Sequence, residues 1–484
     1  MRYIYILKVL SLMLIMLGAC MLLPLLVALY FTPHDIWVFA TSSVSCAALG
    51  LALYLSTRRC QITALSRREG ILIVVLTWTA ACFFGALPYY LSHYIPHFTD
   101  CLFESVSGFT TTGASILSDI EALPKDLLIW RNMTNWLGGM GMIVLALAVL
   151  PFVGSGGMQL YRAEMPGPVE DKLRPRIKDT SKILWQIYVL ITCVGIFLLA
   201  ASGMPIWEAT CNVFGAIATG GFNPRNGSIG VYNSPYVEWV LILIMVVGGT
   251  NFSLYYWLRM GKPGRLFHDN EWRFYISALG LLAVTISFSL FAAGVYPSLG
   301  QSFRYGVFQL VSLGTATGFA TADYELWTPL AQIVLLVSMI GLGCAGSTSG
   351  GIKSIRTLFL GKVATRELYK FIHPRAVVPL KLKGTKLNAT IVDSILGFIF
   401  LYLLTVALST VVLAATGADL LTAFSAVLSC IGGVGPGFGT VGPTENYAHL
   451  TEIAKWTLMG CMLLGRLEIY SILILLVPSF WRNA

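Results

Sequence analysis

Long apolar runs separated by short polar segments dominate the chain. Ten of these runs are about 20 residues long, which is the length that an α-helix needs to cross a bilayer. The predicted spanning helices cover residues 9–31, 36–56, 70–92, 127–151, 183–202, 236–259, 273–294, 328–345 with a disturbed continuation, 390–415 and 453–478. The last eight form four pairs, and a shorter apolar segment lies inside each pair. These shorter segments cannot span a bilayer, so they are predicted to enter it and turn back.

This pattern predicts an all-α integral membrane protein in which four helix–pore loop–helix repeats surround a central pore. Two N-terminal transmembrane helices (residues 1–69) precede the repeats. The repeats are expected at residues 70–160, 161–272, 273–386 and 387–484, the third with a glycine-rich loop and a basic cytoplasmic loop. The first apolar run follows Arg2 and Lys8 but is too long for a signal peptide, so it is predicted to stay as a helix.

Composition and charge agree with this topology. Hydrophobic residues make up 56% of the chain and charged residues 11%, whereas a soluble domain carries about 25% charged residues. Of the 32 Lys and Arg residues, 26 fall in segments that face one side if the N-terminus is inside. Positive charge marks the cytoplasmic side, so both termini are predicted to be cytoplasmic. The net charge of +9 is therefore not a sign of nucleic-acid binding.

Each pair of spanning helices brackets a segment with a similar motif. The segments are FESVSGFTTTGA (103–114), CNVFGAIATGGF (211–222), FQLVSLGTATGF (308–319) and VLSCIGGVGPGF (427–438). Aligning them on the last glycine makes Gly113, Gly221, Gly318 and Gly437 equivalent, although Gly220 competes with Gly221 in the second segment. Such regular spacing indicates four copies of one structural unit.

Each segment is predicted to be a half-helix that enters from outside, followed by a loop that returns in extended form. The C-terminal end of a helix favours a cation, and glycine allows backbone conformations that other residues avoid. Carbonyl groups from four such loops can replace the hydration shell of an ion. Glycines also serve close helix packing, and for any single loop that alternative stays open. Four matching loops favour an ion filter.

These residues resemble the Trk/Ktr/HKT superfamily of cation transporters. The resemblance rests on the loop motifs TTTGA (110–114), ATGF (316–319) and GPGF (435–438). The stretches WLGGMG (136–141), LYRAEMPGP (160–168), GCAGSTSGG (343–351) and LGRLE (464–468) resemble the TrkH branch of bacterial potassium-uptake subunits. The resemblance covers essentially the whole chain.

The resemblance implies a channel-like subunit that takes up K⁺ across the bacterial inner membrane and binds it through backbone carbonyls of its filter. The implied filter residues are Thr111, Thr112, Gly113, Thr219, Gly220, Gly221, Ala316, Thr317, Gly318, Val434, Gly435, Pro436 and Gly437. A glycine in all four loops goes with potassium preference in this superfamily. Its members are homodimers with one pore per subunit. They work with a cytosolic ring of nucleotide-binding regulatory subunits of the RCK type.

The second helix of the third repeat contains residues that weaken a regular helix. The predicted gate consists of Gly343, Gly346, Ser347, Thr348, Ser349, Gly350, Gly351 and Lys353, together with Arg466 of the last helix. In the family this stretch is a mobile loop beneath the filter; a broken but merely packed helix is the alternative. Ile352 follows the glycine pair and no strand precedes it, so the stretch is not a Walker loop, and this chain is expected to bind no nucleotide.

Arg466 lies among leucines in the last predicted helix. A charge at this depth is expensive and normally faces a cavity or a partner. We hypothesise that Arg466 faces the pore and slows cations there. The alternative is a structural pair with Glu468 or with a backbone carbonyl.

The alternatives to a channel are an ion-coupled symporter and an enzyme, and one further surface is a candidate for binding partners. An ion-coupled K⁺/Na⁺ or K⁺/H⁺ symporter also uses discontinuous helices, but it needs acidic groups at mid-membrane, where only Glu104 and Glu468 come close. An enzyme is not expected, because no nucleophile, base and metal ligands converge in the sequence, and its ten cysteines and six histidines show no metal-ligand spacing. The basic loop at 353–386 could receive a regulatory subunit or anionic membrane lipid.

Overall fold

The computed structural model describes residues 2–32, 35–60, 66–139, 141, 177–376, 378–379, 381–382, 385–386 and 389–482. Within these residues the regular secondary structure is helical, apart from one hairpin of two-residue strands, Lys381–Leu382 and Thr385–Lys386. The predicted all-α membrane fold is confirmed. Six described helices are long and apolar enough to cross a bilayer, or up to eight if two bent pairs each count as one span.

The N-terminal region contains three helices: α1 (Tyr3–Cys20), α2 (Leu22–Phe31) and α3 (Ile36–Thr57). Helices α1 and α3 approach closely at Gly18, whose carbonyl accepts a hydrogen bond from Ser43 Oγ at 2.8 Å. A Cβ at Gly18 would lie 3.0 Å from the Ser43 carbonyl oxygen, so glycine permits this contact. The predicted spans at 9–31 and 36–56 agree with these helices.

Four repeats follow. The first contains α4 (Arg67–Gly85), α5 (Leu87–Leu91), α6 (Phe98–Phe109) and α7 (Lys125–Gly139). The second contains α8 (Ile177–Ala200), α9 (Ile206–Ile217), α10 (Pro235–Gly248), α11 (Phe252–Arg259) and α12 (Gly264–Phe267). The third contains α13 (Asn270–Ala292), α14 (Leu299–Gly314), α15 (Pro329–Ser338) and α16 (Ser354–Ile372). The fourth contains α17 (Ala389–Ala415), α18 (Leu420–Gly432), α19 (Glu452–Arg466), α20 (Glu468–Leu473) and α21 (Pro478–Trp481). Short 3₁₀ turns lie at Ser228–Tyr232, Tyr324–Leu326, Gly439–Val441 and Ile474–Leu476.

In the second, third and fourth repeats, the second helix departs from the prediction of one continuous span. The predicted helix 236–259 is bent by 95° between α10 and α11, and the predicted helix 453–478 is bent by 109° between α19 and α20. In the third repeat the helix ends at Ser338 rather than near residue 345. The predicted helix 127–151 is helical to Gly139, and its later part lies outside the described residues, as do residues 160–168.

Local chemistry accounts for the two bends. Asn251 caps α11, because its side-chain oxygen accepts a hydrogen bond from the Ser253 N–H at 2.9 Å, and this interrupts the helix that α10 began. In the last repeat, Glu468 has a positive φ of 56°, a conformation that a non-glycine residue adopts only when its surroundings hold it there. The apolar sequences alone carry neither signal.

The distribution of exposed apolar side chains matches a membrane protein. Helix α17 exposes large residues such as Phe400 at 65% and Leu408 at 59%. By contrast, Cys101 and the last seven residues of α6, from Phe103 to Phe109, are all buried. The peripheral helices therefore present an apolar surface suited to lipid, while the four short helices α6, α9, α14 and α18 lie in the interior.

Candidate functional site

Four short helices point into the protein and stop there. Helices α6, α9, α14 and α18 have 12, 12, 16 and 13 residues. At a rise of about 1.5 Å per residue none of them crosses about 30 Å of hydrocarbon. Three carry an acid at the N-terminal end, where the helix dipole favours negative charge: Asp100, Glu208 and Asp419.

The loops that follow these helices share one backbone conformation. In each loop a residue with positive φ comes first, and a glycine with positive φ follows two residues later. The first positions are Thr111, Thr219, Ala316 and Gly433, with φ of 54°, 51°, 59° and 70°, and the second are Gly113, Gly221, Gly318 and Gly435, with φ of 83°, 70°, 85° and 98°. The glycines are needed at the second position because this conformation is strained for other residues.

A repeated hydrogen bond fixes the same equivalence. The N–H of the residue before each glycine donates to a carbonyl five residues earlier, at the end of the short helix. These bonds are Thr112 to Ser107 at 2.9 Å, Gly220 to Gly215 at 2.9 Å, Thr317 to Ser312 at 2.7 Å and Val434 to Ser429 at 2.9 Å. Each loop therefore leaves its helix in the same way.

The structure corrects the sequence alignment in the fourth loop and resolves it in the second. Gly435, not Gly437, occupies the position of Gly113, because it has the positive φ and follows the repeated hydrogen bond. Gly437 serves another purpose: its N–H donates to the Val441 carbonyl at 2.7 Å. In the second loop Gly221, rather than Gly220, has the positive φ.

The four loops contact one another in a closed ring. A Cβ added at Gly113 would lie 2.3 Å from the carbonyl oxygen of Gly220 in the second loop. The same construction gives 2.0 Å from Gly221 to Thr317, 2.1 Å from Gly318 to Val434 and 2.7 Å from Gly435 to Thr112, which returns to the first loop. Pro436 lies beside Gly318, with its Cδ 2.8 Å from that same added Cβ. The ring therefore brings the sequence-predicted filter residues together.

This arrangement can do one kind of chemistry well. Alternating signs of φ turn successive carbonyl groups towards a common direction, so four loops in a ring can surround a dehydrated cation with neutral oxygens. The hydroxyl pairs Thr110–Thr112 and Thr315–Thr317, each with Oγ1 atoms 2.8 Å apart, add oxygens next to two of the loops. No group of three or more His, Cys, Asp or Glu that could hold a metal occurs in the part of the chain that the structure describes.

Residues 339–353 form a segment that contacts the ends of three of the four short helices. The Leu342 N–H donates to the carbonyl of Gly314, the last residue of α14, at 3.1 Å. Thr348 Oγ1 lies 3.1 Å from the carbonyl oxygen of Ile217, the last residue of α9. A Cβ at Gly350 would lie 2.1 Å from the carbonyl oxygen of Gly432, the last residue of α18. We call residues 339–353 the closing segment, because it lies against the ends of three of the short helices that carry the ring.

The closing segment is also joined to the bend between α10 and α11. The Cys344 N–H donates to the Gly249 carbonyl at 2.9 Å, and the Phe252 N–H donates to the Gly346 carbonyl at 3.0 Å. Within the segment, Lys353 Nζ donates to the Ser349 carbonyl. The side-chain hydroxyl of Ser349 is buried with no hydrogen-bond partner. These contacts hold the segment against the bend and against the ends of the short helices.

Arg466 connects the closing segment to the first repeat. Its Nη1 donates to the Thr348 carbonyl at 2.9 Å, and its Nη2 donates to the carbonyls of Gly139 at 2.8 Å and of Gly138. Glu468, two residues later, pairs with Arg356 of α16 rather than with Arg466. Of the alternatives that the sequence left open, the structure therefore shows Arg466 hydrogen-bonded to backbone carbonyls of the closing segment and of α7.

Sequence reasoning missed several residues that support the loops. Tyr447 Oη donates to the Gly435 carbonyl at 2.7 Å, and Tyr324 Oη donates to the Gly437 carbonyl at 2.8 Å. Arg131 is 2% exposed on α7 and pairs with Glu104. The sequence could have indicated this pair, because two neighbouring apolar segments each contain one residue of opposite charge.

Comparison with known proteins gives a consistent result. The family model TrkH, described as a cation transport protein, matches residues 36–482. The chain is 40% identical over 480 residues to the Trk system potassium uptake protein TrkH of Salmonella typhimurium, covering 98% of this chain and 99% of that protein. It is 38% identical over 467 residues to TrkG of Escherichia coli, covering 96% and 95%. The crystal structure of the potassium transporter TrkH from Vibrio parahaemolyticus superposes with a TM-score of 0.89 at 36% identity, covering 100% of both chains.

Proposed function

The chain belongs to the TrkH family of cation transport proteins, and from that premise we propose that it is a potassium-uptake subunit. It is a membrane protein that transports K⁺ and not an enzyme. The observation that carries the mechanism is the closed ring of Gly113, Gly221, Gly318 and Gly435, each against a carbonyl of the next loop.

The filter selects ions through backbone oxygens. Its four loops are pinned by the short helices that precede them and by each other, so the spacing of the carbonyls is set by the backbone. The C-terminal ends of four helices point towards this region, and their dipoles favour a cation. Carbonyl groups at fixed spacing replace the hydration shell of K⁺. A smaller ion such as Na⁺ holds its water more tightly and is less well compensated.

The closing segment acts as a gate. It lies against the ends of α9, α14 and α18, and its glycine-rich backbone forms no regular helix, so a rearrangement breaks no helical ladder. Arg466 holds the gate shut by binding carbonyls on the segment and on α7, and it places a positive charge on the path of a cation. Opening requires these hydrogen bonds to break.

The protein works as a homodimer with a cytosolic ring of nucleotide-binding regulatory subunits of the RCK type. Both termini lie in the cytoplasm of a bacterial cell, as the positive-inside distribution supports. The basic segment 353–386 and the exposed apolar end of α16, where Phe371 is 90% and Ile372 is 72% exposed, provide a cytoplasmic surface for such partners and for anionic lipid. A movement of α16 would reach the closing segment directly, since Ser354 begins that helix.

Ion-coupled symport is the second candidate, and the ion pairs argue against it. A coupling site needs an acidic group that can bind a second ion at mid-membrane. Glu104 lies within 2.5 Å of Arg131, and Glu468 pairs with Arg356. Both acids already have a positive partner, which disfavours the binding of a coupling cation.

The test is cation flux into liposomes that contain the purified full-length protein. Gradients of K⁺, Rb⁺ and Na⁺ are set separately. We expect passive flux of K⁺ and Rb⁺ to exceed that of Na⁺ without any second gradient. Flux that requires a Na⁺ or H⁺ gradient would replace the channel mechanism by symport, and flux with no preference for K⁺ would refute the selective filter.

A further inference from the structure

A buried ion pair lies behind the first two filter loops. Arg131 Nε donates to Glu104 Oε1 at 2.5 Å, and the two side chains are 2% and 0% exposed. Glu104 is on the short helix α6 and Arg131 is on α7. A charge removed from solvent in this way is expensive, and breaking such a pair from one side leaves an uncompensated charge. The pair therefore calls for an explanation beyond packing.

Glu104 holds the chain where it leaves the first loop. Its carboxylate accepts hydrogen bonds from Ser115 Oγ at 3.1 Å and from the Ile116 N–H at 3.2 Å, three residues after Gly113. The third repeat makes the same contact with a neutral group: Gln309, nine residues before Gly318 as Glu104 is before Gly113, accepts from the Thr321 N–H at 3.0 Å. An amide is therefore sufficient for this task. The negative charge of Glu104 must serve its other contact, which is Arg131.

Arg131 reaches from the first repeat to the second loop. Its Nη1 donates to the Asn223 carbonyl at 3.1 Å, two residues after Gly221. Its guanidinium also lies over the Phe222 ring, with 3.6 Å between Cζ and the ring centroid. A planar guanidinium can hold a carboxylate and a carbonyl in fixed directions while it stacks on a ring. One side chain thus joins the helix before the first loop to the exit of the second.

We propose that Arg131 and Glu104 are a positioning pair that fixes the spacing of the first and second filter loops and thereby sets the discrimination between K⁺ and Na⁺. The pair acts on the side of the ring where Gly113 meets the Gly220 carbonyl. Neither residue touches the ion. A loop that can drift by a few tenths of an ångström lets the carbonyls close around a smaller ion, so the preference for K⁺ falls while conduction continues. This inference rests on the proposed function.

The test compares two double variants in the liposome flux assay. In E104Q/R131M, glutamine keeps the acceptor for Ile116, as Gln309 does in the third repeat, and no unpaired charge is buried. The matched control is E238Q/R304M, which removes another partly buried pair, with Arg304 Nη2 2.5 Å from Glu238 Oε1. That pair joins α10 to the N-terminal half of α14, ten residues or more before the third filter loop.

We expect E104Q/R131M to conduct K⁺ with a K⁺/Na⁺ permeability ratio at least about tenfold below wild type, equivalent to about 1.4 kcal/mol. The control should keep the wild-type ratio. The single variant R131K keeps the charge but loses the fork, so its ratio should fall between the two, and it decides the matter if the double variant does not fold. An unchanged ratio in the altered proteins, or an equal fall in the control, overturns the positioning role. A wild-type protein without K⁺ preference would instead refute the proposed function.

Discussion

Replacing Gly221 by alanine tests the ring of filter loops with the smallest possible perturbation. The change adds one methyl group at a residue with φ of 70°. That methyl carbon would lie 2.0 Å from the Thr317 carbonyl oxygen of the third loop. Since real Cβ contacts essentially never fall below 3.0 Å, one of the two loops must move by about 1 Å, because packed interiors do not absorb such overlap otherwise.

The backbone strain of this substitution can be separated from the clash. An alanine with positive φ costs about 1–2 kcal/mol wherever it stands. Gly203 offers the matched control, because its φ is 88° and an added Cβ would meet nothing within 4 Å. Gly203→Ala carries the same strain without the overlap. A difference between the two variants therefore reports the contact with Thr317.

The assay is Rb⁺ and Na⁺ uptake into liposomes, with the melting temperature of each purified variant measured alongside. We expect Gly203→Ala to transport as the wild type does. For Gly221→Ala, a shift of about 1 Å in one side of the filter should lower Rb⁺ flux at least about tenfold, which is about 1.4 kcal/mol, or abolish its preference over Na⁺. A folded Gly221→Ala protein with wild-type flux and selectivity would refute the ring as the selective element.

Three further predictions follow from individual contacts. Arg466→Ala removes the hydrogen bonds that hold the closing segment, so flux should rise, whereas Arg259→Ala, which removes one exposed contact to a glutamine, should leave it unchanged; equal flux in both would refute the gate. Burial raises the pKa of Glu325 above its usual value, so the folded protein binds this proton more tightly than the unfolded chain does, and ionisation lowers stability as the pH rises through the raised pKa. Glu325→Gln should therefore reduce the fall of the melting temperature as the pH rises above the ordinary range of a glutamate pKa, and an unchanged pH profile would contradict this. Lys455→Met strands the Asp100 carboxylate, which lies 2.6 Å from Lys455 Nζ with both side chains mostly buried, and should lower stability by about 3–5 kcal/mol; if adding Asp100→Asn restores none of the loss in melting temperature, the pair is not its cause.

The spanning helices could be predicted because apolar length is a local property. Helix α13 begins and ends within three residues of the predicted bounds. A helix that crosses the bilayer needs a sufficiently long apolar run, and that run can be read directly from the sequence. The bends could not be predicted in the same way. At Glu468 the unusual φ accompanies an ion pair with Arg356, 112 residues earlier, and sequence periodicity cannot detect such a partner.

The loops show the same division. The repeated glycines predicted that the loops exist. The alignment of the fourth loop, which made Gly437 rather than Gly435 equivalent to Gly113, was wrong by two residues. Gly435 and Gly437 look alike in sequence. They are distinguished by the positive φ of Gly435 and by the hydrogen bond from the Gly437 N–H to the Val441 carbonyl. The pairing of Arg131 with Glu104 depends on how α6 and α7 cross. Counting the charges on each side of the membrane gives no information about that crossing.

The ring has a consequence for how this filter can change. Each side is closed by a glycine Cα against a main-chain carbonyl, and the four carbonyls belong to Gly220, Thr317, Val434 and Thr112. These residues are a glycine, a valine and two threonines, yet their backbone contribution is the same. The loops can therefore vary at this position independently of each other. A filter made from four identical subunits would receive every mutation four times. Here the four loops belong to one chain, so a mutation in one codon changes one of the four sides of the ring. Mutations can therefore alter the pore on one side while the other three sides stay the same.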